Sequence, residues 1–373
     1  MRRAATALAA GLASLAVHAA PPAASGLPLD EPADAGFAQA LAVREFAFPR
    51  DHGPHPQFRQ EWWYFTGHLQ AAGGEEFGFE LTFFRFALAP PKAQPAGSSQ
   101  WRAREIYMAH FAVTDLAARR FRFAQKMSRG ALALAGAQSP PLKVWIDDWS
   151  LTGADAGDPP WQLHAHAQGY ALDLALAALG PPVLNGESGL SRKADEAGAA
   201  SYYYSLPRLQ ARGQLTRDGQ VLAVSGLAWC DREWGSGGLG ARQAGWDWFA
   251  LQLDDGATLM FYALRNLDGT RDAHSAGTFV DPHGAVRALR SDEVAIEVTD
   301  QWRNGAGVRY PAAWRVRVAQ LALDLRVHPQ LPDQELRTTP PYWEGAVSVA
   351  GTRGAQPARG QGYVELVGYA HTR

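Results

Sequence analysis

Phe77-Gly78-Phe79-Glu80-Leu81-Thr82-Phe83 alternates large apolar residues with small or polar ones. A period of two puts every second side chain on one face of an extended chain, so this stretch reads as a strand with a buried face. Gly73-Gly74 supplies a hairpin turn ahead of it, leading back to Glu61-Trp62-Trp63-Tyr64-Phe65-Thr66-Gly67. The pattern recurs downstream: Trp246 to Leu253, the turn Asp254-Asp255-Gly256-Ala257, then Thr258 to Leu264. Asp218-Gly219 joins two more strands, 210–215 and 221–228, and Asp-Gly suits a tight turn whose central residues need positive φ. Further strands are expected over 108–114, 161–168, 170–177, 277–280, 293–298, 314–318, 321–327, 346–351 and 362–369. Only residues 34–41 offer a short helix. So many closely spaced strands imply an all-β chain closed into barrels or sandwiches, since closure removes exposed edges.

The ends and composition set further bounds. Met1-Arg2-Arg3 followed by an alanine-rich apolar run to Ala19 has the order of a secretory signal peptide, with cleavage near Ala19. This predicts a secreted or periplasmic protein without stable membrane insertion. Residues 20–45, rich in Ala and Pro, read as a flexible lead-in. Gly235-Ser236-Gly237-Gly238-Leu239-Gly240 is the expected boundary between a domain over 46–238 and a second over 239–373. Cys230 is the single cysteine among 373 residues, so no intrachain disulfide forms and the core must supply the stability. A net charge of −2 argues against a nucleic-acid partner.

Chemistry centres on two acid–tryptophan clusters, Glu61-Trp62-Trp63-Tyr64 and Trp229-Cys230-Asp231-Arg232-Glu233-Trp234. Carboxylates among indoles are costly to desolvate unless they are hydrogen-bonded, paired or used. If the second cluster is extended, Trp229, Asp231 and Glu233 share one face and Arg232 and Trp234 the other. Asp231 is then a candidate general acid, whereas the structural alternative pairs it with an arginine or a loop. Glu61 either joins the same pocket or pairs with Arg59 or Arg85. His110 reads as a core or pocket histidine, and Tyr202-Tyr203-Tyr204 as strand aromatics that line a cavity or fill a core. His164 and His166 share a strand face, but no metal-ligand spacing is present. No GxSxG elbow supports a serine hydrolase; Ser205 or Ser236 would need a neighbouring histidine.

Taken together, four stretches resemble the AttH-like, lipocalin-like family that includes carotenoid 1,2-hydratase (hydroxyneurosporene synthase). They are His55 to Gly67, Tyr202-Tyr203-Tyr204-Ser205-Leu206-Pro207, Gly226 to Gly235, and Tyr342-Trp343-Glu344-Gly345 with Gly360 to Tyr369. The resemblance implies two tandem lipocalin-like antiparallel β-barrel domains. It also implies Asp231 as the proton donor. The flanking histidines and asparagine of the carotenoid enzymes are replaced here by Cys230, Arg232 and Glu233. The expected function is binding of an apolar, isoprenoid or lipid-like ligand and hydration of a C=C bond, with no cofactor and no metal. Asp231, Glu61 and Glu233 are the expected catalytic residues; Trp62, Tyr64, His110, Tyr203, Trp229 and Trp234 are the expected ligand contacts. The alternative is a non-catalytic periplasmic carrier working beside a lipid or lipoprotein exporter of the ABC-transporter type. The site is expected at the seam between the barrels, where ligand sites concentrate.

Overall fold

The computed structural model describes residues 36–91, 103–154 and 157–370. Residues 1–19, read as a signal peptide, lie outside them. Two antiparallel sheets build the protein, one of 13 strands between Gln60 and Gly235 and one of 10 strands between Gln243 and Leu366. The first runs in hydrogen-bonded order from Arg120–Arg129 through Glu105–Asp115, Glu76–Ala87, Gln60–Ala71, Gln220–Gly235 and Ala200–Arg217 to Tyr170–Ala178 and its shorter neighbours. Near its far end, Lys143–Ile146 returns to lie against Glu105–Asp115 and Arg120–Arg129, which curls the sheet into a barrel. The central strands of the second sheet are Thr258–Asn266, Gln243–Leu253, Gln356–Leu366 and Tyr342–Arg353. Among the described residues no helix is long and apolar enough to cross a membrane.

Three expectations change. The strands expected over 210–215 and 221–228 are the middle of one long hairpin, Ala200–Arg217 and Gln220–Gly235, turned at Asp218 and Gly219 with φ of 48° and 86°. Trp229 to Trp234 therefore lies wholly within a strand. The helix over 34–41 does not form in its described part. Nor is the described end of the lead-in loose: Phe37 and Ala40 are buried, and the Ala38 N–H donates to the Gln57 carbonyl at 2.9 Å. The apolar side chains of Phe37 and Ala40 dock the segment by burial.

Alternation sorts the side chains. Trp63, Phe65, Phe79, Leu81, Phe83, Cys230 and Trp234 fill the first barrel. Phe249, Leu251, Phe261, Trp314 and Trp343 fill the second. The opposite faces of the same strands meet in a third cluster containing Tyr64, Tyr203, Trp229, Trp248, Met260 and Tyr363. Gly78 permits this approach, because a Cβ there would sit 2.6 Å from the Tyr363 hydroxyl and 2.7 Å from the Ala346 Cβ. Polar bonds cross the seam as well: His68 Nε2 donates to the Gly362 carbonyl (2.8 Å) and Gln252 Nε2 to the Ala228 carbonyl (3.0 Å).

Glu61 points into the first barrel and is fully buried. Its carboxylate accepts from Arg85 Nε (2.5 Å), Arg232 Nη2 (2.9 Å) and the His55 backbone N–H (3.0 Å). Burial alone would raise this carboxyl, but Arg85, His55 and Arg232 together hold it well below the usual range. Removing one member of a buried pair strands the others, at about 3–5 kcal/mol. Glu61→Gln is expected to lower stability by about that amount in urea unfolding; a loss under about 1 kcal/mol would place the cluster with weak surface pairs.

Acids at the seam behave oppositely. Glu344 and Glu365 are direct cross-strand partners, and like charges so placed repel. Both Glu80 carboxylate oxygens are buried without a hydrogen-bond partner among the described residues. Burial, partly offset at Glu80 by the nearby Thr82 hydroxyl and reinforced by the Glu365 charge, raises Glu80 and Glu344 above the ordinary carboxylate value. A raised acid favours folding below its unfolded value of 4.5, and that contribution is lost as pH rises through its folded value. Glu80→Gln is accordingly expected to match the wild-type melting temperature in acid and to exceed it increasingly toward alkaline pH. Parallel melting curves across that range would rule out a strained carboxyl.

Candidate active site

A cavity opens along the seam, with about 1210 Å³ of empty space when the open solvent at its mouth is included. The first sheet contributes Trp62, Tyr64, Thr82, Phe84, His110, Tyr203, Asp231 and Glu233 to its walls. Trp246, Trp248, Tyr262, Tyr342 and Glu365 come from the second sheet, and Lys193 from the turn after Leu190–Arg192. The walls are thus aromatic, with three carboxyls and one ammonium set into them.

Asp231 is 4% exposed, and among the described residues no cation is bonded to it. Its Oδ1 accepts from Ser205 Oγ (2.5 Å) and Trp229 Nε1 (2.6 Å), and its Oδ2 from the Tyr203 hydroxyl. These donors are held in turn. Trp248 Nε1 donates to the Tyr203 oxygen at 3.1 Å, and Asn185 Nδ2 to Ser205 Oγ at 2.9 Å. Burial raises the Asp231 carboxyl; the three donors pull it back and Glu233 adds to the rise, leaving it at about 7. Such a group carries a transferable proton near neutrality.

Glu233 accepts from Ser201 Oγ and pairs with Lys193 Nζ at 3.1 Å. Lys193 also donates to Ser191 Oγ (2.9 Å) and lies 4.1 Å from the centre of the Tyr262 ring. Burial would lower the ammonium, but Glu233 and Tyr262 more than reverse this and keep it charged. His110 lies deeper, with Nδ1 2.7 Å from the Tyr342 hydroxyl and Nε2 2.9 Å from Gln125 Nε2. Burial lowers it to about 3, so it is neutral.

The structure brings Asp231, Glu233, Trp62, Tyr64, His110 and Tyr203 together around one cavity. It separates three others. Glu61 faces the opposite side of its strand and is sealed with Arg85 and Arg232, so it has no catalytic access. Trp234 points into the first barrel, where its ring stacks on His55 at 3.8 Å. Trp229 lies on the correct face but behind Asp231, where it anchors the carboxyl instead of lining the main cavity. Sequence reasoning missed Lys193, Trp246, Trp248, Tyr262 and Glu365. The Trp246-x-Trp248 spacing repeats the one-face logic of Trp62 and Tyr64 and was a usable signal. Nothing local marks Lys193, whose partners come from other strands.

Other chemistries find less. Ser205 bonds Asp231 and Asn185, while Ser236 Oγ donates to the Ala38 carbonyl and accepts from the Arg59 N–H. Among the described residues neither is bonded to a histidine. His164 and His166 are paired on the surface with Asp173 and Asp148. Among the described residues no cluster of three or more His, Cys, Asp or Glu could hold a metal.

Comparison with known proteins places this architecture. The chain matches the dehydratase asqC of Emericella nidulans at 26% identity over 212 residues, 52% of this chain and 57% of that protein. The chain thus spans little more than half the length of that curated relative. Kievitone hydratase of Nectria haematococca shares the fold, with a TM-score of 0.67 at 16% identity over 89% of this chain and 96% of the other. An AttH-type protein of Nitrosomonas europaea superposes with a TM-score of 0.80 at 36% identity, covering 89% of this chain and all (100%) of its own. The AttH-like family profile matches residues 39–369, and the chain belongs to that family.

Proposed function

We propose that the protein is a hydro-lyase that hydrates, or in reverse dehydrates, an apolar unsaturated substrate in the seam cavity, with Asp231 as the proton donor. One observation carries this reading: a buried carboxyl that, among the described residues, is bonded by no cation opens onto an aromatic cavity while three neutral donors grip its oxygens. Transfer of its proton to an alkene carbon leaves a carboxylate, and Tyr203, Ser205 and Trp229 already point at the developing charge. Preorganised donors of this kind lower the barrier because they need not reorient as the charge forms. The adjacent cationic carbon is stabilised by the faces of Trp62, Tyr64 and Trp248. No cofactor enters the scheme. The hydratase and dehydratase among the relatives support the reaction class, and an apolar, isoprenoid-like substrate suits the walls. Residues 1–19, read as a signal peptide, would place the enzyme outside the cytoplasm.

A carrier beside an exporter is the second reading, favoured by the finding that Glu61 is sealed and structural. Turnover separates the two. Assayed on isoprenoid alkenes and their tertiary alcohols, Asp231→Asn is expected to bind as wild type and lose about 10²–10⁴-fold in kcat. An unchanged kcat would sink the hydro-lyase. Asp231 donates only while protonated, so in the hydration direction kcat/KM should fall as pH rises through about 7. A rate still level well above that pH would exclude Asp231 as the acid.

A further inference from the structure

Hydration requires a second proton transfer, because the water that adds must lose a proton. Glu61 is excluded by its burial with two arginines. Glu233 is occupied: Lys193 Nζ lies 3.1 Å from its Oε1, and Ser201 Oγ donates to the same oxygen. Glu365 has neither handicap. It stands on the wall contributed by the second sheet, while Asp231 stands on that of the first. Trp246 Nε1 donates to its Oε2 at 2.9 Å, and among the described residues no bond occupies its Oε1.

We propose that Glu365 is the second proton-transfer residue of this cavity, working opposite Asp231. The inference rests on the hydro-lyase reading and deepens it. Asp231 gives its carboxyl proton to one alkene carbon; the π pair forms the C–H bond and leaves the neighbouring carbon cationic. A lone pair of water forms the C–O bond, and the water proton passes to the Glu365 carboxylate. The turnover ends with Asp231 ionised and Glu365 protonated, and one proton exchanged between them through solvent restores the start. Dehydration is the same sequence reversed, with Glu365 protonating the leaving hydroxyl. The active site is therefore complete only when both sheets are packed together.

The surroundings of Glu365 suit this role. Asp231 and Glu233 face it from one strand, Tyr64 and Glu80 from two others, and Tyr342 and Glu344 flank it on its neighbouring strand. Burial raises Glu365; the Trp246 bond lowers it, and the charges of Asp231 and Glu233 raise it again, to about 7. Glu344, directly across the ladder, accepts from the Tyr64 hydroxyl at 2.6 Å.

The test combines a titration that needs no substrate with kinetics. In the full chain labelled at glutamate carboxyl carbons, the NMR signal of Glu365 is assigned by its loss in Glu365→Gln. Its midpoint is expected near neutrality, and Asp231→Asn should move it down by removing a neighbouring negative charge. A midpoint in the ordinary carboxylate range, or one unmoved by Asp231→Asn, overturns the proposal. In turnover, Glu365→Gln keeps an acceptor for Trp246 and should preserve KM within a few-fold while lowering kcat at least about a hundredfold. It should also abolish the acid-side limb of the pH profile, and Glu365→Asp should restore part of the rate. Retained activity in Asp231→Asn defeats the hydro-lyase reading itself. Loss in Asp231→Asn alone, with Glu365→Gln at the wild-type rate and both limbs intact, defeats only the role of Glu365.

Discussion

Two curled sheets that pack face to face must bury both sides of the strands that meet at the seam, and the site depends on that constraint. Each such strand has one set of side chains inside its own barrel and the alternate set at the seam. Glu61, Trp63 and Phe65 go inward while Trp62 and Tyr64 go outward; Cys230, Arg232 and Trp234 go inward while Trp229, Asp231 and Glu233 go outward. The second sheet repeats the arrangement. Trp246 and Trp248 face the seam, and Asp247 between them is bonded by Arg265 at 2.9 Å and by Tyr369 at 2.9 Å. A one-residue slip of Gln60–Ala71 would turn Glu61 out to the seam, and one of Gln220–Gly235 would turn Asp231 into the barrel.

The two acid–tryptophan clusters look alike in sequence yet end in opposite electrostatic states. Desolvation acts on both Glu61 and Asp231 and pushes each carboxyl upward. What differs is the partner. Two guanidiniums overcompensate burial at Glu61, whereas hydroxyl and indole donors leave Asp231 near 7. An arginine bonded to Asp231 would hold it ionised and abolish its capacity to donate. Arg232, its immediate chain neighbour, is kept away by alternation alone, since it points through the sheet toward Glu61.

Much of the fold was legible because period-two patterning and Asp-Gly turns are local signals. Strand ends were less so. The segment from Trp229 to Gly235 extends a strand whose middle alone showed clear alternation, since both its faces are buried and polar residues sit on each. Arg120–Arg129 escaped notice because its aromatic positions are only half-buried at a sheet edge. At the site, the placement of Asp231 and Glu233 on one face followed from extended geometry. Lys193 and Glu365 did not, because each acquires its meaning from a partner on a different strand: Glu233 for Lys193, and the facing sheet for Glu365.

The concentration of raised acids at the seam follows from the same architecture. A barrel interior can absorb an ion cluster, since arginines reach Glu61 from two neighbouring strands, Glu76–Ala87 and Gln220–Gly235. The seam is filled instead by aromatic rings, and Lys193 is already held by Glu233. Carboxyls placed there have phenols, indoles and one another for company, so protonation relieves them more cheaply than pairing does. Glu80 and Glu344 bear that strain, while Asp231 and Glu365 line the cavity where a held proton has a destination. The chemistry and the strain of the seam thus share one origin: acidic side chains on faces that the packing of two barrels withdraws from water.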